Sequence, residues 1–159
     1  MDKSKQIIEL LESGFTITNV ENITNVNNLK HHLSAYLATK YSFDNLNSDN
    51  TLNFIHRLAP IQSDKDANDL ILDSINYLSG QYKFGELIYD SCTNLLTQIY
   101  GMDLHVQKSN NIVFQYPRSL RYSELHIDGP VNSLYELVAW LPLVDCFSTK
   151  SFFIVPLAD

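Results

Sequence analysis

His126 and Asp128 stand one residue apart within residues 123–130, SELHIDGP. On an extended backbone, residues i and i+2 point to the same face, so the imidazole and the carboxylate converge while Ile127 turns away. One imidazole and one carboxylate make up two thirds of the facial triad that holds non-haem Fe(II) and leaves coordination positions open. Chance also produces His-x-Asp often, and a strand end that happens to carry two polar residues is the plainer reading of the tripeptide alone. Metal chemistry has to be supported by what surrounds the pair.

The other histidines add little. His31 and His32 are adjacent on a helical stretch and cannot face one metal together at that spacing. His56 reads as a packing or capping residue, and His105, in LHVQK, is the best local substitute for a third ligand. Asp64, Asp66, Asp69 and Asp73 read as helix-cap and surface acids, because DKDANDLILD lacks the central glycine and final glutamate of a calcium loop.

The elements that must position His126 and Asp128 divide the chain by periodicity. Up to about Gly101 most segments read as helix. SKQIIELLESG places Ile7, Leu10 and Leu11 on one face and stops at Gly14. FTITNV reads as a short strand. NVNNLKHHLSAYLATK carries an apolar stripe at Val26, Leu29, Leu33, Tyr36 and Leu37. DANDLILDSINYLSG has an aspartate as cap candidate, a stripe at Leu70, Ile71, Ile75 and Leu78, and Gly80 as a stop. FGELIYDSCTNLLTQIYG repeats the pattern through Leu87, Ile88, Leu95 and Ile99 to Gly101.

After Gly101 the period becomes two. LHVQK, NIVFQYP, RYSELHID, YELVAWLPLV and KSFFIVPL are short, β-branched or aromatic, and separated by turn residues. Helices followed by consecutive strands predict an α+β fold with an antiparallel sheet, in one domain over residues 1–159. KSFFIVPLAD ends on an apolar strand that would be left as a hydrophobic sheet edge. The expectation is that a partner covers this edge, or that the gene continues beyond Asp159.

Composition narrows the function classes. Eleven basic against 18 acidic residues give a formal net charge of −7, and the basic residues are scattered, which argues against a nucleic-acid surface. No apolar run approaches a membrane span, and MDKSKQIIELLESG lacks the apolar core of a signal peptide. Cys92 and Cys146 belong to no metal or redox spacing and read as buried thiols in a reducing cytoplasm.

Residues 125–156, LHIDGPVNSLYELVAWLPLVDCFSTKSFFIVP, resemble the Fe(II)/2-oxoglutarate oxygenases of the phytanoyl-CoA dioxygenase type. They look closest to the bacterial branch found in sporadic carbohydrate-biosynthesis clusters. The matching positions are His126, Asp128, Asn132–Ser133, Tyr135–Glu136, Trp140, Pro142–Asp145, Thr149–Ser151 and Ile154–Pro156. GFTITNVENI is similar to the opening common in that superfamily. The resemblance implies a double-stranded β-helix (a cupin-like jelly roll), with residues 1–101 the helical region and 102–159 the first, incomplete half of the barrel. It implies His126 and Asp128 as iron ligands, and Trp140 beside 2-oxoglutarate. Gln115, with Tyr116 as the weaker candidate, is a polar group of the same pocket. Glu124, two residues before His126, is a candidate acceptor for the ligand imidazole.

The chain also departs from the family. The second histidine ligand and the Arg or Lys that anchors 2-oxoglutarate come downstream of His-x-Asp in these enzymes. Here none of the five histidines follows His126, and Lys150 is the only cation after Arg121. The expectation is therefore an inactive partial oxygenase that self-associates as a dimer through its sheet edge. The rivals are a non-catalytic interaction module and a cupin-like sandwich that takes a ligand from a second chain. The resemblance leans toward a sugar or another small polar metabolite as substrate.

Overall fold

The computed structural model describes residues 3–44, 47–59, 61–81, 83–108, 111–116, 136–148 and 151–156. Its elements are α1 (Lys3–Ser13), α2 (Ile23–Tyr41), α3 (Ser48–Asn53), α4 (Ile55–Leu58), α5 (Asp64–Gln81) and α6 (Phe84–Tyr100). Among the described residues there is no strand, and no helix is long and apolar enough to cross a membrane.

α2 is the central element. The Asn22 side chain accepts from the Asn25 N–H at 3.2 Å to start it, and Ser42, at φ 54°, turns the chain out of it. Val26, Leu29, Leu33 and Leu37 are buried along one face, as their spacing predicts, with Ser34 and Ala38 beside them. α3, α5 and α6 pack around this face. Leu29, Leu33 and Leu37 form one cluster with Leu52, Ile55, Ala59, Leu70, Leu78 and Leu87. The flank of α2 is tied to α5 by Tyr36 stacked on Tyr77, with centroids 4.1 Å apart, and by a Lys40–Asp73 ion pair. A Lys30–Asp49 pair ties α2 to α3.

α1 turns differently from its predicted stripe. Gly14 ends it at φ 78°, with its N–H donating to Leu10 O at 2.9 Å. Leu11, however, is 76% exposed, while Gln6 is buried and its Nε2 donates to the Ile17 carbonyl at 3.4 Å. Among the described helices, α1 packs chiefly on α6 and through a small contact, which leaves its rotation easily set. A single polar side chain with a carbonyl to satisfy can then outweigh one leucine.

The cap of α5 is Ser63, not one of the predicted aspartates. Ser63 Oγ accepts from the Asp66 N–H at 3.2 Å, and Asp66 Oδ2 accepts in return from the Ser63 and Gln62 N–H groups at 2.9 and 3.0 Å. This is a capping box with an aspartate in the acidic position. Gly80 does not stop the helix, which runs on to Gln81. The hydroxyl of Ser63, then the backbone N–H of Gln62, hold the Asp66 carboxyl below its usual pKa. A depressed folded pKa gives stability that is present above the ordinary carboxylate range and lost as pH falls through the folded value. Ser63→Ala is thus expected to lower the urea midpoint at pH 7, with the gap to the parent narrowing by about pH 3.

α6 contains a kink at Cys92, where φ −147° and ψ 26° leave the helical region. A kink exposes N–H groups at the start of the second half, and Glu21 satisfies one from across the fold. Its two carboxylate oxygens accept from the Asn94 N–H at 3.1 Å, one of them also accepts from Asn94 Nδ2 at 2.7 Å, and the Glu21 N–H donates to Ser91 O at 2.9 Å. Glu21→Ala should cost about 1 kcal/mol in chemical denaturation, the usual loss of a helix cap. Gly101 closes α6 at φ 82°.

The expectation of an antiparallel sheet and a double-stranded β-helix over residues 102–159 is overturned. The described stretches of that region run without strand pairing, as does 15–20, where FTITNV predicted a strand. The period of two is nonetheless real in 111–116: Ile112, Phe114 and Tyr116 are half-buried against the helical cluster, while Asn111, Val113 and Gln115 are exposed. Alternation dictates which side chains face the core. It does not dictate a hydrogen-bonding neighbour, and here the surface covered is helical. Leu143 and Val144 pack on the same cluster. Cys146 is exposed, against the expectation of a buried thiol, and only Cys92 is half-buried. Burial, then Glu21, raises the pKa of the Cys92 thiol.

Candidate functional site

His126, Asp128 and Glu124 lie outside the described residues. Gln115, Tyr116 and Trp140 lie within them. Gln115 occupies an outward position of 111–116 and is exposed. Its neighbour Tyr116 turns inward, and its hydroxyl is buried with no hydrogen-bond partner among the described residues. Burial, reinforced by Tyr41, holds that phenol well above its ordinary pKa, so Tyr116 is a neutral group and no proton acceptor by ionisation.

Trp140 is 54% exposed, which removes it from the core. Its ring stands edge-to-face on Phe152, with centroids 4.3 Å apart and planes at 82°. Two separated parts of the 125–156 motif, the Trp140 segment and the aromatic segment near its end, thus meet in one exposed aromatic pair. Such an arrangement gives an apolar corner of two perpendicular rings, both partly open to solvent. Between them, Asp145 is hydrogen-bonded to Asn53 at the end of α3.

His31 and His32 are exposed on α2 with their rings edge-to-face at 5.8 Å, and His105 is exposed beyond α6. His56 is half-buried beside Phe54, at 6.5 Å between ring centroids. Among the described residues no three His, Cys, Asp or Glu side chains are grouped to hold a metal ion. His105 therefore belongs to no such group of three among the described residues.

One feature was missed in the sequence. A cleft of about 330 Å³ lies between α2 and α5, lined by Lys40, Tyr41, Ile61, Asp66, Asp69 and Asp73. The spacing of Asp66, Asp69 and Asp73 at i, i+3 and i+7 was the available signal, since it places all three on one helix face. The cleft's charges are largely committed: Asp73 pairs with Lys40, and Asp66 is held in the capping box.

No family model matches the chain, and no curated protein or solved structure matches it either.

Proposed function

We propose that the chain carries the His-x-Asp arm of a non-haem iron, 2-oxoglutarate-dependent dioxygenase acting on a small polar, carbohydrate-related metabolite. The observation that carries this reading is the order of residues over 125–156: His126, Asp128, Tyr135–Glu136, Trp140, Pro142–Asp145 and Ile154–Pro156. His126 and Asp128 would hold the iron, and their donor set fits Fe(II) in kind. It stops at two protein ligands within these residues. Bound iron would couple oxidative decarboxylation of 2-oxoglutarate to hydroxylation of the substrate. The exposed pair of Trp140 and Phe152 supports an aromatic wall for the co-substrate. Gln115, facing solvent, is the weaker of the two co-substrate candidates.

Anaerobic equilibrium dialysis of Fe(II), with and without 2-oxoglutarate, tests the reading. A site that binds both raises the affinity for Fe(II) when 2-oxoglutarate is added. Equal affinity in the two conditions sinks it.

A second reading, a non-catalytic interaction module, is favoured by the apolar side chains left open after α6. Met102, Val113, Val138, Phe147, Phe153 and Val155 are all exposed. Apolar side chains exposed in such number are what an interaction surface needs, where scattered single ones would be ordinary. What it offers a second copy is side chains rather than a sheet edge. Sedimentation at micromolar concentration is expected to show a dimer that Phe153→Asp weakens at least tenfold; a monomer throughout removes this reading.

A further inference from the structure

We propose that Asn53 is a positioning residue for the Trp140-bearing segment: its side-chain amide clasps Asp145 and sets how residues 141–148 sit on the helical body. The contact has two points. Asn53 Nδ2 donates to Asp145 Oδ2 at 3.0 Å, and the Asp145 backbone N–H donates to Asn53 Oδ1 at 3.1 Å. Both edges of one amide are thus used on one residue 92 positions away.

The two partners differ in what holds them. Asn53 is 8% exposed and lies between Leu52 and Ile55, both members of the helical cluster, so its backbone is fixed by the core. Asp145 is exposed, and the residues just before it, Leu143 and Val144, are only half-buried. Apolar contact is non-directional and can hold a segment close without fixing its orientation. A paired amide restricts distance and angle together, and its carboxylate acceptor makes the bond stronger than a neutral one. The clasp thus supplies an orientation that the apolar contacts of Leu143 and Val144 leave open. Trp140 directly precedes this segment and meets Phe152 edge-to-face, so a shift in 141–148 moves one half of the aromatic pair. Its consequence for 2-oxoglutarate rests on the proposed reading of Trp140; the clasp itself does not.

The test is hydrogen exchange on the full chain, without iron or 2-oxoglutarate, so that failure of the oxygenase reading leaves it intact. Asn53→Asp removes the donor and sets two carboxylates face to face. Amides of 143–146 are expected to exchange at least about tenfold faster, the loss corresponding to one charge-assisted hydrogen bond. Adding Asp145→Asn to Asn53→Asp reverses the polarity of the clasp. The new amide at 145 donates to the new carboxylate at 53, and the backbone N–H at 145 still finds an oxygen. Exchange should return to within roughly threefold of the parent, since both bonds are restored. Trp140 is the only tryptophan, so its emission should shift in the single variant and return in the double. Asp145→Ala, which leaves the buried partner untouched, should give an intermediate acceleration and serves if Asn53→Asp does not fold. The proposal is overturned if exchange in 143–146 is unchanged by either single variant, or if the double variant stays as fast as Asn53→Asp. It is equally overturned if, in Asp145→Ala, α2 and α5 lose protection in step with 143–146.

Discussion

Leu70→Ala is expected to cost about 2–5 kcal/mol of folding free energy, while Leu72→Ala, two residues along the same helix, costs less than about 0.5 kcal/mol. Leu70 is 0% exposed and belongs to the cluster built around α2, whereas Leu72 is 57% exposed on the outer face of α5. Removing the Leu70 side chain forfeits its transfer from water. It also leaves a cavity that the other members of the cluster fill only in part, because each is already held by its own packing. Leu72→Ala has neither cost and gains slightly in helix propensity. Against a total stability of about 5–15 kcal/mol, the first loss is a large share of the whole. Urea unfolding followed by far-ultraviolet circular dichroism measures both. Equal midpoints for the two variants would show that α5 does not face the core through Leu70.

His126→Ala and Asp128→Ala are each expected to abolish any gain in Fe(II) affinity that 2-oxoglutarate confers. Replacing a partner outside the ligand shell commonly costs 10–100-fold in metal affinity, so removing one of the two proposed ligands should exceed about a hundredfold. The neutral imidazole is the ligand form, so affinity in the parent should also fall as the solution is acidified and protons compete with the metal. His105→Ala and His31→Ala are the controls, because both side chains are exposed and neither belongs to a described metal-ligating group. Equilibrium dialysis under nitrogen separates the outcomes. Retained coupling in His126→Ala would move the metal away from the His-x-Asp pair, and lost coupling in His105→Ala would bring in the residue that the family order leaves out.

What can be read in the sequence about the candidate site is a set of residue types in order, not their surroundings. His-x-Asp, the Trp140 segment and the aromatic segment after it are visible as residue types in order. That Trp140 meets Phe152 while staying exposed depends on how two stretches lie side by side, and nothing in either stretch states it. The same holds for Asn53 and Asp145. An asparagine in TLNF and an aspartate in PLVD carry no mark of each other, because a hydrogen bond across 92 positions is written only in the path of the chain between them.

The sequence by itself determined the local features of this protein: the helical stripes of α2 and α5, the left-handed stops at Gly14 and Gly101, and the apolar side chains that line the core. Each follows from interactions within about four residues, namely helical periodicity and the freedom of glycine at positive φ. The tertiary structure alone decided the rest. It chose Gln6 over Leu11 for the buried side of α1, and it brought Glu21 to cap the second half of a kinked α6. It also set the alternating residues of 111–116 against helices instead of a neighbouring strand. The physical reason is the same in each case. Periodicity says which side chains need burial, but the groups that meet that need, whether a carbonyl, a carboxylate or an apolar face, come from elsewhere in the chain.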